Sequence, residues 1–219
     1  MMFSPFPRAF YRPGAEVVAP LLLGHFLLRR VGSEWLGGEI VETEAYITGD
    51  PACHAYRRET PRNRAMWGDE GHAYVYKIYG GYRCFNAVCR PKGVAEAVLV
   101  RAVEPTFGIE TMRELRPVAR DAELTNGPSK LCIAQGIGFD CNGADLCESD
   151  SELILAINPR RDEFLAARGE TIQTTRIGLT FAVDWPLRWL LSGSKSVSKA
   201  GRASEWPQGV SPRVIPATE

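Results

Sequence analysis

The run IVETEAY, residues 40 to 46, places two carboxylates and a phenol at alternate positions. A strand turns successive side chains to opposite faces, so Glu42, Glu44 and Tyr46 project together with Ile40, while Val41, Thr43 and Ala45 face the other way. A carboxylate held there can accept a proton from water or stabilise a developing positive charge. Two carboxylates can divide the hydrolysis of a glycosidic bond only if they flank it, and same-face neighbours on one strand point in nearly one direction. The same alternation also describes an ordinary solvated sheet face, so the surrounding residues must decide.

Directly after this strand, AYRRETPRNR sets Arg57, Arg58, Arg62 and Arg64 against the single acid Glu59. This local cationic patch suits phosphate contacts, and on charge alone it equally describes a solvated loop. Arg101 interrupts the apolar run AEAVLVRAVEP. A guanidinium buried there needs a carboxylate, a water or a substrate oxygen. The six cysteines form no CxxC pair and the three histidines no HxxxH pattern. Reduced thiols and no metal are therefore expected. Acidic and basic residues balance at 26 each, so any nucleic-acid affinity must come from local distribution.

The elements that position these groups follow from periodicity and punctuation. Residues 14 to 23 read as a short helix with Pro20 in its interior and Gly24 as its stop. HFLLRRV alternates as a strand, and GSEWLGG turns the chain into a strand over Glu39 to Tyr46. In GHAYVYKIYGGYRCFNAVCR two strand-like runs flank Gly80 and Gly81, which predicts a tight type I′ hairpin with Tyr79 and Tyr82 beside its tip. Period two sets Lys77 opposite Tyr76. AEAVLVRAVEP is a strand, residues 107 to 116 an amphipathic helix, and Pro128 and Gly136 bracket another helix. SELILAIN reads as a strand, and RIGLTFAVDWPLRWLLSGS closes the core. With 219 residues and 45% hydrophobic content, one mixed α+β domain over 14–193 is the economical reading. Residues 1–13 form an extension, and 194–219 a polar, flexible tail.

In this order, IVETEAY, the following His54, TPRNRAMWG, YVYKIYG with CFN after it, VLVRAVEP and NGPSKLC resemble the alkyladenine (3-methyladenine) DNA glycosylase family. The resemblance spans about Val18 to Gly193. It implies a curved, mainly antiparallel sheet, a partial barrel with peripheral helices and a protruding hairpin. It also implies an enzyme that excises damaged purines from double-stranded DNA without a cofactor. By position Glu44 matches the general base and Arg101 the arginine that helps hold the attacking water. Tyr46, His54 and Tyr76 match the walls of the base pocket, and Asn86 a residue that selects among purines. Tyr79 matches the side chain that enters the duplex. Gly81 stands where the family commonly has a bulkier residue, and Lys77 where it is usually apolar.

Stacking between Tyr46 and Tyr76 would favour an electron-poor alkylated purine over a normal base. Lys77, turned from the pocket, leaves hydrolysis without strand cleavage as the expected outcome. Glu42 is left as an acid behind Glu44, a structural hydrogen-bonding group or a surface residue. Two rivals remain at this point: a noncatalytic nucleic-acid-binding barrel, and a carbohydrate hydrolase using Glu42 with Glu44. No apolar run approaches the roughly 20 residues of a membrane span. A monomer without membrane association is expected, cytoplasmic and nucleoid-associated in a prokaryote or nuclear in a eukaryote.

Overall fold

The computed structural model describes residues 3–208. In chain order the elements are α1 (Ala15–Leu21), β1 (Phe26–Val31), β2 (Glu34–Tyr46), β3 (Ala73–Lys77), β4 (Arg83–Cys89), β5 (Glu96–Phe107), α2 (Ile109–Leu115), α3 (Pro128–Ala134), β6 (Leu153–Ala156), α4 (Arg161–Ala167), β7 (Thr171–Thr174) and β8 (Arg188–Leu191). The eight strands form one open antiparallel sheet in the order β3-β4-β5-β2-β1-β6, with β8 pairing β2 and β7. The fold is α+β, as expected, with the helices peripheral to the sheet. Among the described residues, no helix is long and apolar enough to cross a membrane.

β2 is the organising strand. Its first half pairs with β1 and its second half with β8, while β5 runs along its other edge. The strand is longer than its sequence pattern suggests, because Gly37 and Gly38 lie within it and the turn is confined to Gly32 and Ser33. These glycines permit close backbone approach: a Cβ on Gly38 would lie 1.8 Å from the Glu104 carbonyl oxygen. What reads as a turn signal is in fact a place where neighbouring strands crowd the chain.

The main core gathers Val18, Leu22 and Leu27 with Val41, Ala45, Phe85, Val98, Val100 and Leu131. Ile40 belongs to this core rather than to the acidic face predicted for it. The β2–β5 register shifts on both sides of Glu42; such a bulge breaks the strict alternation. Pro128 opens α3 at its first position as expected. β7 and α4 carry too little periodicity over four and seven residues to be read from sequence.

Both ends of the domain extend further than predicted. Phe6 and Tyr11, within the supposed N-terminal extension, are buried in the main core. Ser194 and Ser196 are buried, and Trp206 packs on Trp185 with ring centroids 5.4 Å apart. The chain from 194 to 206 is therefore part of the packed domain; residues 209–219 of the predicted tail lie outside the described residues.

Candidate active site

The second half of β2 and the middle of β5 bring Glu42, Glu44 and Arg101 together. Arg101 spans the two carboxylates: Nε lies 2.8 Å from Glu42 Oε1 and Nη1 lies 3.1 Å from Glu44 Oε1. Both glutamates are fully buried and Arg101 is nearly so. Burial alone would favour loss of the Arg101 proton, but Glu44 and then Glu42 outweigh it and hold its pKa above the ordinary arginine value. Glu42 also receives Arg188 Nη1 at 3.0 Å and the Ser198 backbone N–H at 2.6 Å. Two buried guanidiniums thus balance two buried carboxylates, which such isolated charges require.

Glu44 has three polar partners. Oε1 forms the ion pair with Arg101 and accepts from the Ile177 backbone N–H at 2.9 Å, and Oε2 accepts from the Tyr46 hydroxyl at 2.9 Å. Burial, then the adjacent Glu44 charge, lifts the Tyr46 pKa well above its usual value, so the phenol stays a proton donor. A carboxylate offers about four lone-pair sites. One therefore remains for a further donor such as water.

These three partner residues line a cavity of about 730 Å³. Its walls also include His54, Tyr74, Tyr76, Asn86, Leu99 and Met66. Tyr76 stacks on Tyr74 with centroids 5.4 Å apart and planes 30° from parallel. His54 meets Tyr76 edge-on at 4.5 Å, and its Nδ1 lies 3.0 Å from the Tyr74 hydroxyl. Desolvation beside these rings, then the nearby Arg62 charge, lowers the His54 pKa and favours the neutral ring. Asn86 is buried and donates from Nδ2 to the Tyr74 carbonyl at 3.0 Å, which fixes its amide across β3 and β4. All four predicted pocket residues, Tyr46, His54, Tyr76 and Asn86, border this one cavity together with Arg101.

Several residues of the site escaped sequence reasoning. Arg176 lies 4.8 Å from the Tyr46 ring centroid, over its face, and forms a wholly buried pair with Asp50. It also donates to the Ala45 carbonyl at 3.0 Å. One face of Tyr46 is thus occupied by a fixed cation. Tyr74 supplies the second ring behind Tyr76. The Asp50 and Tyr46 partners of Arg176 lie far away from it in sequence, beyond any periodicity.

The hairpin tip is exposed as predicted, with a different turn. Lys77 pairs with Arg83, and the Ile78 N–H donates to the Tyr82 carbonyl at 2.8 Å. The loop is therefore Tyr79-Gly80-Gly81, one residue longer than a type I′ turn, and both glycines have positive φ, 71° and 84°. Tyr79 is 98% exposed at this tip. Lys77, expected on the far side of the strand, borders the cavity rim.

Arg57, Arg58, Arg62 and Arg64 are all exposed. Their loop is organised by the buried Asn63, whose Nδ2 donates to the carbonyls of His54 at 2.9 Å and Arg58 at 3.1 Å. Arg62 reaches the Lys77 carbonyl at 3.3 Å and borders the cavity, whereas Arg64 pairs with Glu59 at 3.1 Å. The cationic loop and the hairpin thus meet at the mouth of the pocket.

A cavity walled by aromatic rings, with a carboxylate–arginine pair at its back and cations at its mouth, can receive a flat, electron-poor ring and act on the bond behind it. The profile of the family described as Methylpurine-DNA glycosylase (MPG) matches residues 9–195. A protein of Methanoculleus marisnigri is 45% identical over 193 residues, covering 88% of this chain and 98% of its own length. One of Carboxydothermus hydrogenoformans is 44% identical with the same coverage, and one of Francisella tularensis is 42% identical over 83% of this chain and 92% of its own. Each bears the name "Putative 3-methyladenine DNA glycosylase". The chain belongs to the methylpurine-DNA glycosylase family. It is a DNA-repair glycosylase, a hydrolase whose substrate is DNA.

Proposed function

We propose that this chain, acting as a monomer, turns an alkylated or deaminated purine out of duplex DNA and hydrolyses its N-glycosidic bond, leaving an abasic site. Extrusion costs a few kcal/mol and is least costly for damaged or mispaired bases. Tyr79 enters the gap and helps hold the nucleotide out, while Arg57, Arg58, Arg62 and Arg64 contact phosphates. The base lies against Tyr46 and Tyr76, with His54 on a third side and Asn86 sensing its edge.

The observation that carries this reading is the Glu44–Arg101 pair directly behind the aromatic wall. Glu44 takes a proton from a water at its remaining lone-pair site while Arg101 orients that water. The water oxygen bonds to the anomeric carbon, and the base leaves with the electrons of the broken bond. The same carboxylate stabilises the positive charge that builds on the sugar. Glu42 does not serve as a second catalytic carboxylate, because both of its oxygens already accept from Arg101, Arg188 and Ser198. This weighs against the carbohydrate-hydrolase reading.

The test incubates the protein with duplexes carrying hypoxanthine, ethenoadenine or a methylated purine. Release of free base, with the strand intact until alkali is added, is expected. Binding without release would favour the noncatalytic barrel.

A further inference from the structure

The family match ends at residue 195, yet the chain beyond it reaches the charged cluster. Ser196 is buried at 1% exposure. The Ser198 hydroxyl lies 2.8 Å from Glu42 Oε1 and 3.1 Å from Arg101 Nη2, so it donates to the carboxylate while accepting from the guanidinium. Its backbone N–H binds the other Glu42 oxygen at 2.6 Å. One residue on, the Lys199 carbonyl accepts from Arg188 Nη1 at 2.9 Å.

The segment is anchored past these contacts as well. The Ser204 N–H donates to the Gln173 carbonyl at 3.0 Å, and Trp206 packs on Trp185. Between the anchors lies Gly201, where a Cβ would stand 2.8 Å from Arg188 Nη2 and equally close to Thr174 Cγ2. The glycine lets the strand of chain lie flat on the Arg188 guanidinium.

We infer that residues 196–206 form a strap whose Ser198, directly and through Glu42, sets the Arg101 guanidinium against Glu44, making Ser198 and Glu42 positioning residues for base release. The inference rests on the roles proposed above for Glu44 and Arg101. Arg101 has several donors and a long stem, and Glu44 alone does not fix how it lies. Glu42 takes Nε, Ser198 takes Nη2, and Nη1 is thereby turned to Glu44. Ser198 reaches the cavity through Arg101, so its loss should disturb the chemical step and not the fit of DNA.

The experiment measures single-turnover base release and duplex affinity separately for the full chain, Ser198→Ala, Ser198→Thr, Gly201→Ala and Glu44→Gln. Ser198→Ala is expected to slow release about tenfold, the size expected for losing hydrogen bonds to charged groups, with affinity within about twofold. Ser198→Thr keeps the hydroxyl and should recover most of the rate, and Gly201→Ala should reproduce the slow release by lifting the strap. A Ser198→Ala rate equal to that of the unaltered chain, or equal losses in the Ala and Thr variants, would overturn the strap's role, while loss of release in Glu44→Gln would leave the mechanism standing. Full activity in Glu44→Gln would overturn both.

Discussion

The Tyr46 hydroxyl donates to Oε2 of Glu44 at 2.9 Å, two positions back on the same strand. The aromatic wall and the carboxylate are therefore a single unit, in which the ring faces the cavity and its oxygen holds the acid in place. Tyr46→Phe keeps the ring and removes the tether. It is expected to retain affinity for a damaged duplex and to slow base release several-fold, as loss of one hydrogen bond to a charged group would. Tyr46→Ala should lose both. Base release by Tyr46→Phe at the rate of the unaltered chain would mean that the hydroxyl has no part in the reaction.

Tyr79 gives a second prediction. If it fills the space of the extruded nucleotide, Tyr79→Ala weakens excision most for a well-paired lesion and least opposite a mismatch, where extrusion is already easy. An equal loss on both would remove the wedge. Gly81→Met adds apolar surface worth about 1 kcal/mol, but φ is 84° there and a side chain costs about as much in backbone strain. Duplex affinity is expected to change by no more than about threefold.

The cationic loop should show itself in salt dependence. Replacing Arg57 and Arg58 together by glutamine is expected to reduce the slope of log affinity against log salt by about one to two, since each phosphate left without its cation removes about 0.9 from the slope. Arg64→Gln should do less, because Arg64 already pairs with Glu59. The ranking of lesions should stay the same. An unchanged slope in the double variant would make the loop a solvated surface.

His25 links stability to pH. Burial, then the Arg161 charge, lowers its pKa to about 4, and its Nδ1 accepts the Asn158 N–H at 3.0 Å. The unfolded chain takes up this proton near pH 6.5, before the folded one does. The neutral ring's contribution is complete above pH 6.5 and is lost as pH falls towards 4. Urea unfolding of the unaltered chain and His25→Gln should therefore differ by an amount that shrinks over that interval, on the order of 1 kcal/mol for a partly buried ring. A constant difference would contradict the assignment.

Local pattern made much of the architecture legible. Alternation marked β2, an apolar, β-branched run marked β5, Pro128 marked the start of α3, and the Gly80–Gly81 pair marked an exposed hairpin. The ordered motifs brought Glu44, Tyr46, His54, Tyr76, Asn86 and Arg101 to one cavity region. Ile40 was misassigned because the bulge beside Glu42 breaks the period that sequence reading assumes. Asp50 and Arg176 gave no sign of each other, since a long-range ion pair leaves no trace in local spacing. Residues 194 to 206 looked like a tail because Ser, Gly and Lys carry no hydrophobic pattern, yet their polar atoms satisfy a buried carboxylate.

The most direct test of the mechanism compares single-turnover base release by Glu44→Gln and Glu42→Gln on one damaged duplex, with binding to that duplex measured alongside. Glu44→Gln should still bind and should lose at least about 100-fold in rate, the size of a general acid–base contribution. Glu42→Gln should show a much milder loss, because Glu42 holds Arg101 and does not touch the water. Near-normal release by Glu44→Gln, or the reverse ranking, would contradict the account and remove Glu44 as the base.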